Sequence, residues 1–430
     1  MKKNKVSKFL SKIFKGIAKL FSPFPLAEIL SIHLGHTIIE SATIIKKRPI
    51  AIVWREPIAN KWLTEKIQEN LRYPKINAWI NKYYKKEGIL GTAIRMSFKN
   101  LSDQYWLFNL GYNYFSEGLT IKFSETEEKN AEKFMSKLGL IKNKYVCFCI
   151  RDESYYEEFK TDLQKISTGT SFAFRNAAIE NYVECAEELL RRGIKPVIMG
   201  FSSTRKTYPK KVVDVFSMPY SDPDFRPATE AYIFKNCSFC VGMMTGGTLY
   251  AKLFSRPVLW ADIFWRGVPV GGKSDVIVPK KIFVSSDQGK EKRFLNFKEM
   301  RDLGPPPNND WSHFHKNGLS VLNNSSADLK EALVDMVSYL DTKKYFQSSE
   351  EHELHKQFSM WHFTIIKKKL VTPTRLAPSW AKKNQDLLVA RSIMYSKYWT
   401  GIRSHQISVD DCFERKKSEV LFGKKVEGLR

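Results

Sequence analysis

The clearest pattern in this chain is a series of short apolar runs that alternate with helical stretches between residues 145 and 340. The apolar runs predict strands over Tyr145–Ile150, Lys195–Gly200, Val212–Phe216, Ser238–Gly242 and Arg256–Trp260. The intervening segments predict helices over Asn176–Arg192, Thr229–Asn236 and Thr248–Phe254. Runs that are apolar at nearly every position are typical of parallel strands buried on both faces. The alternation predicts a doubly wound α/β sheet.

A second α/β unit is predicted upstream, with further helices at the other end of the chain. The upstream unit has a short strand over Pro49–Trp54 and helices over Asn60–Leu71, Pro74–Lys85 and Thr126–Leu138. We divide the chain into a basic helix at 1–22, an α/β domain at 23–142, a second α/β domain at 143–340 and a helical extension at 341–430. Within the extension a helix is predicted over Trp380–Ser396.

The first 22 residues have the pattern of an amphipathic helix. Their apolar positions recur at helical spacing: Val6, Phe9, Leu10, Ile13, Phe14, Ile17 and Phe21. The same segment contains seven lysines and no acidic residue. This combination predicts a helix that lies in the interface of an anionic membrane. The alternative is a basic helix that packs on the protein's own surface.

Composition narrows the class of protein and of partner. The net charge of +25 favours an anionic partner. No basic-aromatic signature of nucleic-acid recognition is present, so we expect no nucleic acid. Six cysteines in 430 residues are too few for a disulfide scaffold. Cys147, Cys149, Cys237 and Cys240 lie in or beside apolar runs and are expected to be buried thiols, and we predict no metal site.

Two loops that follow predicted strands carry residues suited to a phosphate. Arg151 follows the first strand, and Thr245-Gly246-Gly247-Thr248 follows Ser238–Gly242. Ligands of open parallel sheets bind outside the carboxyl ends of the strands. A guanidinium forms paired hydrogen bonds with phosphate, and glycines at a helix N-terminus leave N–H groups accessible. We predict that both loops hold a nucleotide pyrophosphate; the alternatives are a loop ion pair and an ordinary threonine-capped turn.

Arg175 and Asn176 open the next predicted helix. Asn176 is a candidate helix N-cap. Arg175 gains nothing from the positive end of a helix dipole, and a bound anion would explain its position. Both residues are therefore candidate donor contacts, with helix capping as the alternative for Asn176.

The candidate proton acceptors are a histidine and two carboxylates. His36 lies in the loop His33-Leu34-Gly35-His36, and a histidine can take a proton from an acceptor hydroxyl near neutral pH. Glu40, one helical turn further on, either orients His36 or acts as the base itself. Asp152, which follows Arg151, is the third candidate. The alternative for His36 is a capping or packing role.

Six segments occur in a recognisable order along residues 30–340. They are Gly35–Glu40, Val146–Tyr155, Phe174–Tyr182, Val197–Gly200, Gly242–Pro257 and Asn317–Ser325. In this order and spacing they resemble a family of bacterial surface-polysaccharide glycosyltransferases. More loosely, the chain resembles fucosyltransferases of the GT-B fold, in which two Rossmann-like α/β domains with parallel sheets face each other. In those enzymes a strand ending in arginine and a later Val-Gly-x-x-Ser-Ser turn hold the donor pyrophosphate.

The resemblance implies a metal-independent glycosyltransferase that uses a nucleotide sugar as co-substrate and no cofactor. Gly35 and Gly200 join the implied donor-binding residues. The acceptor is expected to be a glycan or a lipid-linked glycan, and the enzyme is expected in the cytoplasm, peripherally attached to the inner membrane. The Gly-Gly pair departs from the fucosyltransferase pattern, which leaves the nucleotide base open. A nucleotide-sugar epimerase of the same fold and a non-enzymatic polyanion-binding protein are the alternatives.

Overall fold

The computed structural model describes residues 6, 9–13, 26–29, 51–54, 60–69, 71, 73–87, 89–90, 92–94, 121–151, 176–199, 208–215, 217–220, 222–264, 272, 274–285, 293–297, 299–300, 318–344, 348–361, 364–366, 369–371 and 374–388. The strands are β1 Leu26–Ile29, β2 Ala51–Trp54, β3 Tyr145–Cys149, β4 Lys195–Ile198, β5 Val213–Asp214, β6 Phe239–Gly242, β7 Val258–Ile263, β8 Val276–Pro279, β9 Lys281–Val284, β10 Arg293–Phe294, β11 Leu319–Leu322, β12 Thr364–Ile366, β13 Lys369–Val371 and β14 Arg375–Leu376. The helices are α1 Lys61–Glu69, α2 Pro74–Tyr84, α3 Glu125–Lys137, α4 Val183–Arg191, α5 Arg226–Asn236, α6 Gly246–Leu253, α7 Ser326–Thr342, α8 Ser349–Trp361, α9 Pro378–Lys383 and α10 Gln385–Leu388.

Seven of these strands form one parallel sheet in the order β5-β4-β3-β6-β7-β8-β14. The chain starts in the middle with β3, adds β4 and β5 on one side, and then returns to add β6 on the other. This is the Rossmann-type order, and it places the switch point between β3 and β6. The predicted doubly wound α/β sheet is confirmed.

The strands of this sheet are apolar because helices cover both of its faces. Every residue of β3, β6, β7 and β8 is buried. Helix α4 packs against α7, while α5 packs against α3 and α6. Cys147, Cys149, Cys237 and Cys240 are free and buried, as predicted, and burial raises the pKa of the Cys147 and Cys240 thiols. These thiols are part of the core.

The described part of the upstream region packs onto the same core. Strands β1 and β2 form a parallel pair, and Ile52 belongs to one apolar cluster with the seven-stranded sheet. Helix α1 contacts α3 through Glu127, which accepts a hydrogen bond from Trp62 Nε1 at 2.7 Å and pairs with Lys66 at 3.0 Å. Glu127 also completes a capping box with Ser124 at the start of α3.

Five predicted helices, those over Asn60–Leu71, Pro74–Lys85, Thr126–Leu138, Thr229–Asn236 and Thr248–Phe254, are found with small shifts of their ends. The helix predicted from Asn176 begins later: a 3-10 turn spans Ile179–Tyr182, α4 follows, and Ala178 rather than Asn176 occupies the cap position. The interpretation of Asn176 as a helix cap is therefore wrong. The sequence pattern also missed β8, β14 and the antiparallel sheet β10-β9-β11. The helix predicted over Trp380–Ser396 is represented by α9 and α10, and residues after 388 lie outside the described part.

The N-terminal segment is described only at residue 6 and residues 9–13, which are helical. Three positions of its predicted apolar stripe, Val6, Phe9 and Ile13, are exposed. The rest of residues 1–22 lies outside the described part. None of the described helices is long and apolar enough to cross a bilayer.

A buried ion pair joins α6 to the sheet. The carboxylate of Asp275, just before β8, accepts hydrogen bonds from Lys252 Nζ at 2.9 Å and from Trp260 Nε1 at 3.0 Å. The backbone N–H groups of Val258 and Gly272 donate to the same carboxylate at 3.0 and 2.9 Å. Both side chains are almost fully buried, so in the described part of the chain their charges are compensated by each other, by these donors and by the Arg256 carbonyl, which lies 3.5 Å from Lys252 Nζ.

Replacing Asp275 with asparagine tests this pair. The variant leaves the ammonium of Lys252 buried without its counter-charge, and we expect a loss of about 3–5 kcal/mol in the free energy of unfolding. Urea denaturation followed by circular dichroism measures it. The control is Lys142→Gln, which removes an exposed pair with Glu132 and should cost much less, because water screens exposed charges. Equal losses in the two variants would contradict the assignment.

Candidate functional site

The candidate site lies at the carboxyl ends of β3 and β6. Cys149 is paired with Gly242 in the register of these strands, so the residues that follow them leave the sheet side by side. Arg151 follows β3 and is partly buried, and its backbone N–H donates to the sulfur of Met243 at 3.4 Å. The structure therefore brings Arg151 next to the turn that follows β6, as the sequence predicted.

The turn after β6 is the N-terminus of α6. Thr245 is the N-cap, and its hydroxyl accepts the Thr248 N–H at 3.3 Å. The hydroxyls of Thr245 and Thr248 lie 3.0 Å apart, and Thr248 is fully buried. The side chain of Thr248 is therefore occupied inside the turn. Gly246 and Gly247 form the first two positions of the helix, where N–H groups lack partners within the helix.

Two glycines of this segment have a packing role. A Cβ on Gly242 would lie 2.6 Å from the carbonyl oxygen of Cys149 and 2.7 Å from the Thr248 hydroxyl. A Cβ on Gly247 would lie 3.0 Å from the sulfur of Cys149. Gly242 has no room for a side chain, and a side chain at position 247 would fit only if Cys149 moved by a few tenths of an ångström, because α6 starts directly against β3. The close packing brings the helix N-terminus to the end of β3.

The segment Asn176-Ala177 links the ends of β3 and β8 through hydrogen bonds. The N–H of Ala177 donates to the carbonyl of Arg151 at 2.9 Å. The carbonyl of Asn176 accepts a hydrogen bond from Lys280 Nζ at 2.5 Å. Within the described part of the chain, the side-chain oxygen of Asn176 is buried and accepts no hydrogen bond. Asn176 thus presents a buried acceptor beside Arg151.

Lys280 is a candidate residue that the sequence analysis missed. It follows β8, is almost fully buried, and donates also to the Asn323 side chain at 2.6 Å. Burial and the nearby charge of Arg151 lower the pKa of Lys280 to about 8, and Asp262 partly opposes the shift. The signal was present, because Lys280 follows an apolar strand just as Arg151 does. It was hidden in the lysine-rich stretch 272–293.

A buried carboxylate holds the surrounding segments together. Asp262, in β7, accepts hydrogen bonds from the backbone and side-chain N–H groups of Asn324 at 2.7 and 2.9 Å. Its other oxygen accepts from the Tyr182 hydroxyl at 2.9 Å. The side-chain oxygen of Asn324 accepts from Trp380 Nε1 at 2.8 Å. Asp262 therefore has a structural role beneath the site.

Six predicted site residues lie outside the described part of the chain. They are the donor-binding candidates Gly35, Arg175 and Gly200 and the catalytic candidates His36, Glu40 and Asp152. Their roles stay predictions. Among the described residues, no group of three potential metal ligands occurs.

A shallow cavity of about 290 Å³ lies elsewhere on the surface, lined by residues of α3 and of the loop before β3, including Glu132, Met135 and Lys142. Because this loop enters β3, the cavity lies at the amino-terminal edge of the sheet. It does not coincide with the residues that converge after β3, β6 and β8.

Comparison with known proteins gives only distant likenesses. No family model matches the chain, and no curated protein matches it. A crystal structure of a glycosyl transferase family 9 protein from Veillonella parvula DSM 2008 is similar over 59% of this chain and 85% of that chain, at 12% identity and a TM-score of 0.34. The structure of E. coli heptosyltransferase WaaC with ADP-2-deoxy-2-fluoro heptose is similar over 72% of this chain and 99% of that chain, at 10% identity and a TM-score of 0.27. Structural similarities this weak do not assign the chain to a family.

The environment of Lys280 predicts a pH dependence of stability. With a folded-state pKa of about 8, below that of an unfolded lysine, the folded state releases its proton first as the pH rises. The cost of burying the charge is thus fully present below about pH 8 and is relieved above it. Relative to Lys280→Met, the wild type should gain stability as the pH is raised from 8 towards 10, by up to about 1.4 kcal/mol per pH unit. Urea denaturation at several pH values measures this, and a constant difference would contradict it.

Proposed function

We propose that this chain is a glycosyltransferase that binds the diphosphate of a nucleotide sugar between the ends of β3 and β6. One observation supports this above the others: Arg151 and the N-terminus of α6 lie side by side at the switch point of a Rossmann-ordered sheet. Such a switch point is where nucleotides bind in open α/β sheets. The proposal rests on this geometry and on the order of sequence segments described above.

Three sources of positive potential favour a diphosphate there. Arg151 carries a permanent charge and offers paired N–H donors. The N-terminus of α6 adds the positive end of a helix dipole and its backbone N–H groups. Lys280 adds a charge that interacts with that of Arg151. Such charges repel one another when the site is empty, and an anion bound among them relieves this repulsion.

The buried oxygen of Asn176 supports a donor that also carries hydroxyl groups. A buried acceptor without a hydrogen bond is costly, by about 1–3 kcal/mol. A hydroxyl of the ribose or of the sugar would satisfy it by donating a hydrogen bond to it. Thus Asn176, expected to contact the donor, has a side-chain oxygen without a hydrogen bond next to the proposed diphosphate position, and a small local opening would let a donor hydroxyl reach it.

In the proposed reaction, an acceptor hydroxyl attacks the anomeric carbon of the donor sugar. The new carbon–oxygen bond forms as the bond to the diphosphate breaks, and the nucleoside diphosphate leaves with both bonding electrons. His36, Glu40 or Asp152 takes the proton of the acceptor hydroxyl. Arg151 and Lys280 stabilise the charge that develops on the departing diphosphate, so the proposed mechanism needs no metal ion.

We also propose a glycan or lipid-linked acceptor and a place at the cytoplasmic face of the inner membrane. The support is the N-terminal segment, whose seven lysines occur without an acidic residue and whose apolar positions Val6, Phe9 and Ile13 are exposed. An acceptor carried on a lipid would meet an enzyme held at this surface.

Nucleotide binding is tested first at Arg151. Thermal-shift measurements with UDP, GDP, CDP and CMP identify the base, and isothermal titration then gives the affinity. Arg151→Ala should weaken binding by about 1.5–3 kcal/mol because a charged phosphate contact is lost. The matched control is Arg191→Gln, an exposed arginine at the end of α4 and thus at the opposite edge of the sheet. A folded Arg151 variant with unchanged affinity would overturn the assignment.

The catalytic base is tested with turnover. If His36 or Glu40 takes the acceptor proton, its replacement by alanine should lower kcat by about 10²–10⁴-fold with little change in nucleotide affinity. The products also separate the enzyme classes, because a transferase releases a nucleoside diphosphate and an epimerase returns an isomerised nucleotide sugar. Near-normal turnover in both variants would move the base to another residue such as Asp152.

A further inference from the structure

Hydrogen bonds to strand β2 determine which side of helix α2 is buried. The side-chain oxygen of Asn77 accepts the N–H of Ile52 in β2 at 2.8 Å. The side-chain N–H of Asn81 donates to the carbonyl of Ile52 at 2.7 Å. These bonds attach one side of α2 to β2, and Ile80 on the same side is buried. Because one side of α2 is bonded to β2, the opposite side faces outward.

The outward side of α2 is apolar and aromatic. Ile76 is 45% exposed and Trp79 is 44% exposed, and one turn later the partly buried ring of Tyr83 lies 4.8 Å from that of Trp79. Positions 76, 79 and 83 are spaced three and four residues apart, so they form a single stripe along the helix. Beyond the helix, Ile89 and Leu90 are each 40% exposed. Exposed apolar side chains that cluster in this way mark interaction surfaces, whereas scattered ones do not.

Lysines border the apolar stripe. Lys75 and Lys82 are exposed, and their helical spacing places them beside Trp79, while exposed Lys86 follows the end of the helix. The ammonium of Lys86 lies 5.4 Å from the centre of the Tyr83 ring. Residues 70–86 contain five basic residues and no acidic one. The apolar stripe thus lies in a mainly cationic stretch, which exposed Glu69 and Glu87 border at its two ends.

We infer that the outward side of α2 is a docking surface for an anionic lipid bilayer. Tryptophan and tyrosine are favoured at the membrane interface, because the ring sits among the upper acyl chains while its polar group reaches water. Lysines beside them can extend towards anionic headgroups while their methylene chains cover apolar surface. The absence of acidic residues in 70–86 complements the negative charge of such a surface. A shallow interfacial contact of this kind needs no spanning helix.

This contact would be additional to the one proposed for residues 1–22. One weak membrane signal gives marginal binding, whereas two signals on one chain act together and give a stable association. The inference does not depend on the nucleotide site, because α2 supplies none of the residues placed there. Vesicle binding and nucleotide binding can therefore fail separately.

The test uses the full chain and sedimentation with vesicles of phosphatidylcholine, with or without phosphatidylglycerol. The double variant Ile76→Ser/Trp79→Ser removes apolar contacts without changing the charge, and the partition coefficient should fall at least about 10-fold. Lys75→Gln/Lys82→Gln should lower it by about 30-fold at low salt and by less at high salt. Both variants should keep the wild-type melting temperature and the wild-type affinity for nucleotide.

Matched controls use exposed residues away from α2. Ile141→Ser removes an exposed apolar side chain before β3, and Lys129→Gln/Lys133→Gln removes two exposed charges from α3. Neither should reduce vesicle binding as the corresponding α2 variant does. In addition, vesicles with brominated acyl chains should quench tryptophan fluorescence in the wild type more than in Trp79→Phe.

Three results would overturn the inference. The first is unchanged vesicle binding in both α2 variants. The second is an equal loss in the matched controls, since net charge alone would then explain the attraction. The third is that only the lysine variant loses vesicle binding and that it loses heparin binding to the same extent. The surface would then bind polyanions in general.

Discussion

The arrangement of the candidate site depends on the buried carboxylate of Asp262. Its three hydrogen bonds fix Tyr182, in the turn before α4, and Asn324, in the loop before α7. The two segments fixed in this way also supply both acceptors of Lys280, the Asn176 carbonyl and the Asn323 side chain. Asp262 therefore helps to hold the acceptors of the buried ammonium in place near Arg151. Asp262 itself has a left-handed backbone, with φ of +51°, which an aspartate tolerates when its surroundings fix it.

This dependence explains which parts of the site could be predicted from the sequence. Arg151 and Thr245 follow long apolar runs, so their place at the carboxyl ends of strands was visible. The strand that holds Asp262 was predicted to end at Trp260, and the strand before Lys280 was not predicted at all. Four residues of β8 followed by lysines do not stand out in a basic stretch. The convergence of β3, β6 and β8 at one edge is set by tertiary pairing, which single-strand patterns do not contain.

The Gly-Gly pair, Gly246 and Gly247, lies at the start of α6 as predicted, but the structure gives a different reason for one of these glycines. The sequence suggested that glycines let the backbone approach a phosphate. In the structure, Gly247, the second glycine of the pair, lies against Cys149 in β3, and a Cβ at this position would be 3.0 Å from the Cys149 sulfur. Close packing therefore favours glycine at position 247 even in a protein that binds no phosphate. The hypothesis of a nucleotide site therefore rests on the strand order and on the neighbouring charges.

The net charge of +25 did not distinguish a buried anion site from a membrane surface, but burial separates the two. Lys280 lies in the protein interior, where charge interactions are strong and salt screens them little. The lysines of α2 are exposed, so each contributes a weak, salt-sensitive attraction that becomes useful only in numbers. The first environment suits a single anionic group held in one place. The second suits an extended anionic surface, and the exposed ring of Trp79 among those lysines favours a surface with an apolar layer beneath it.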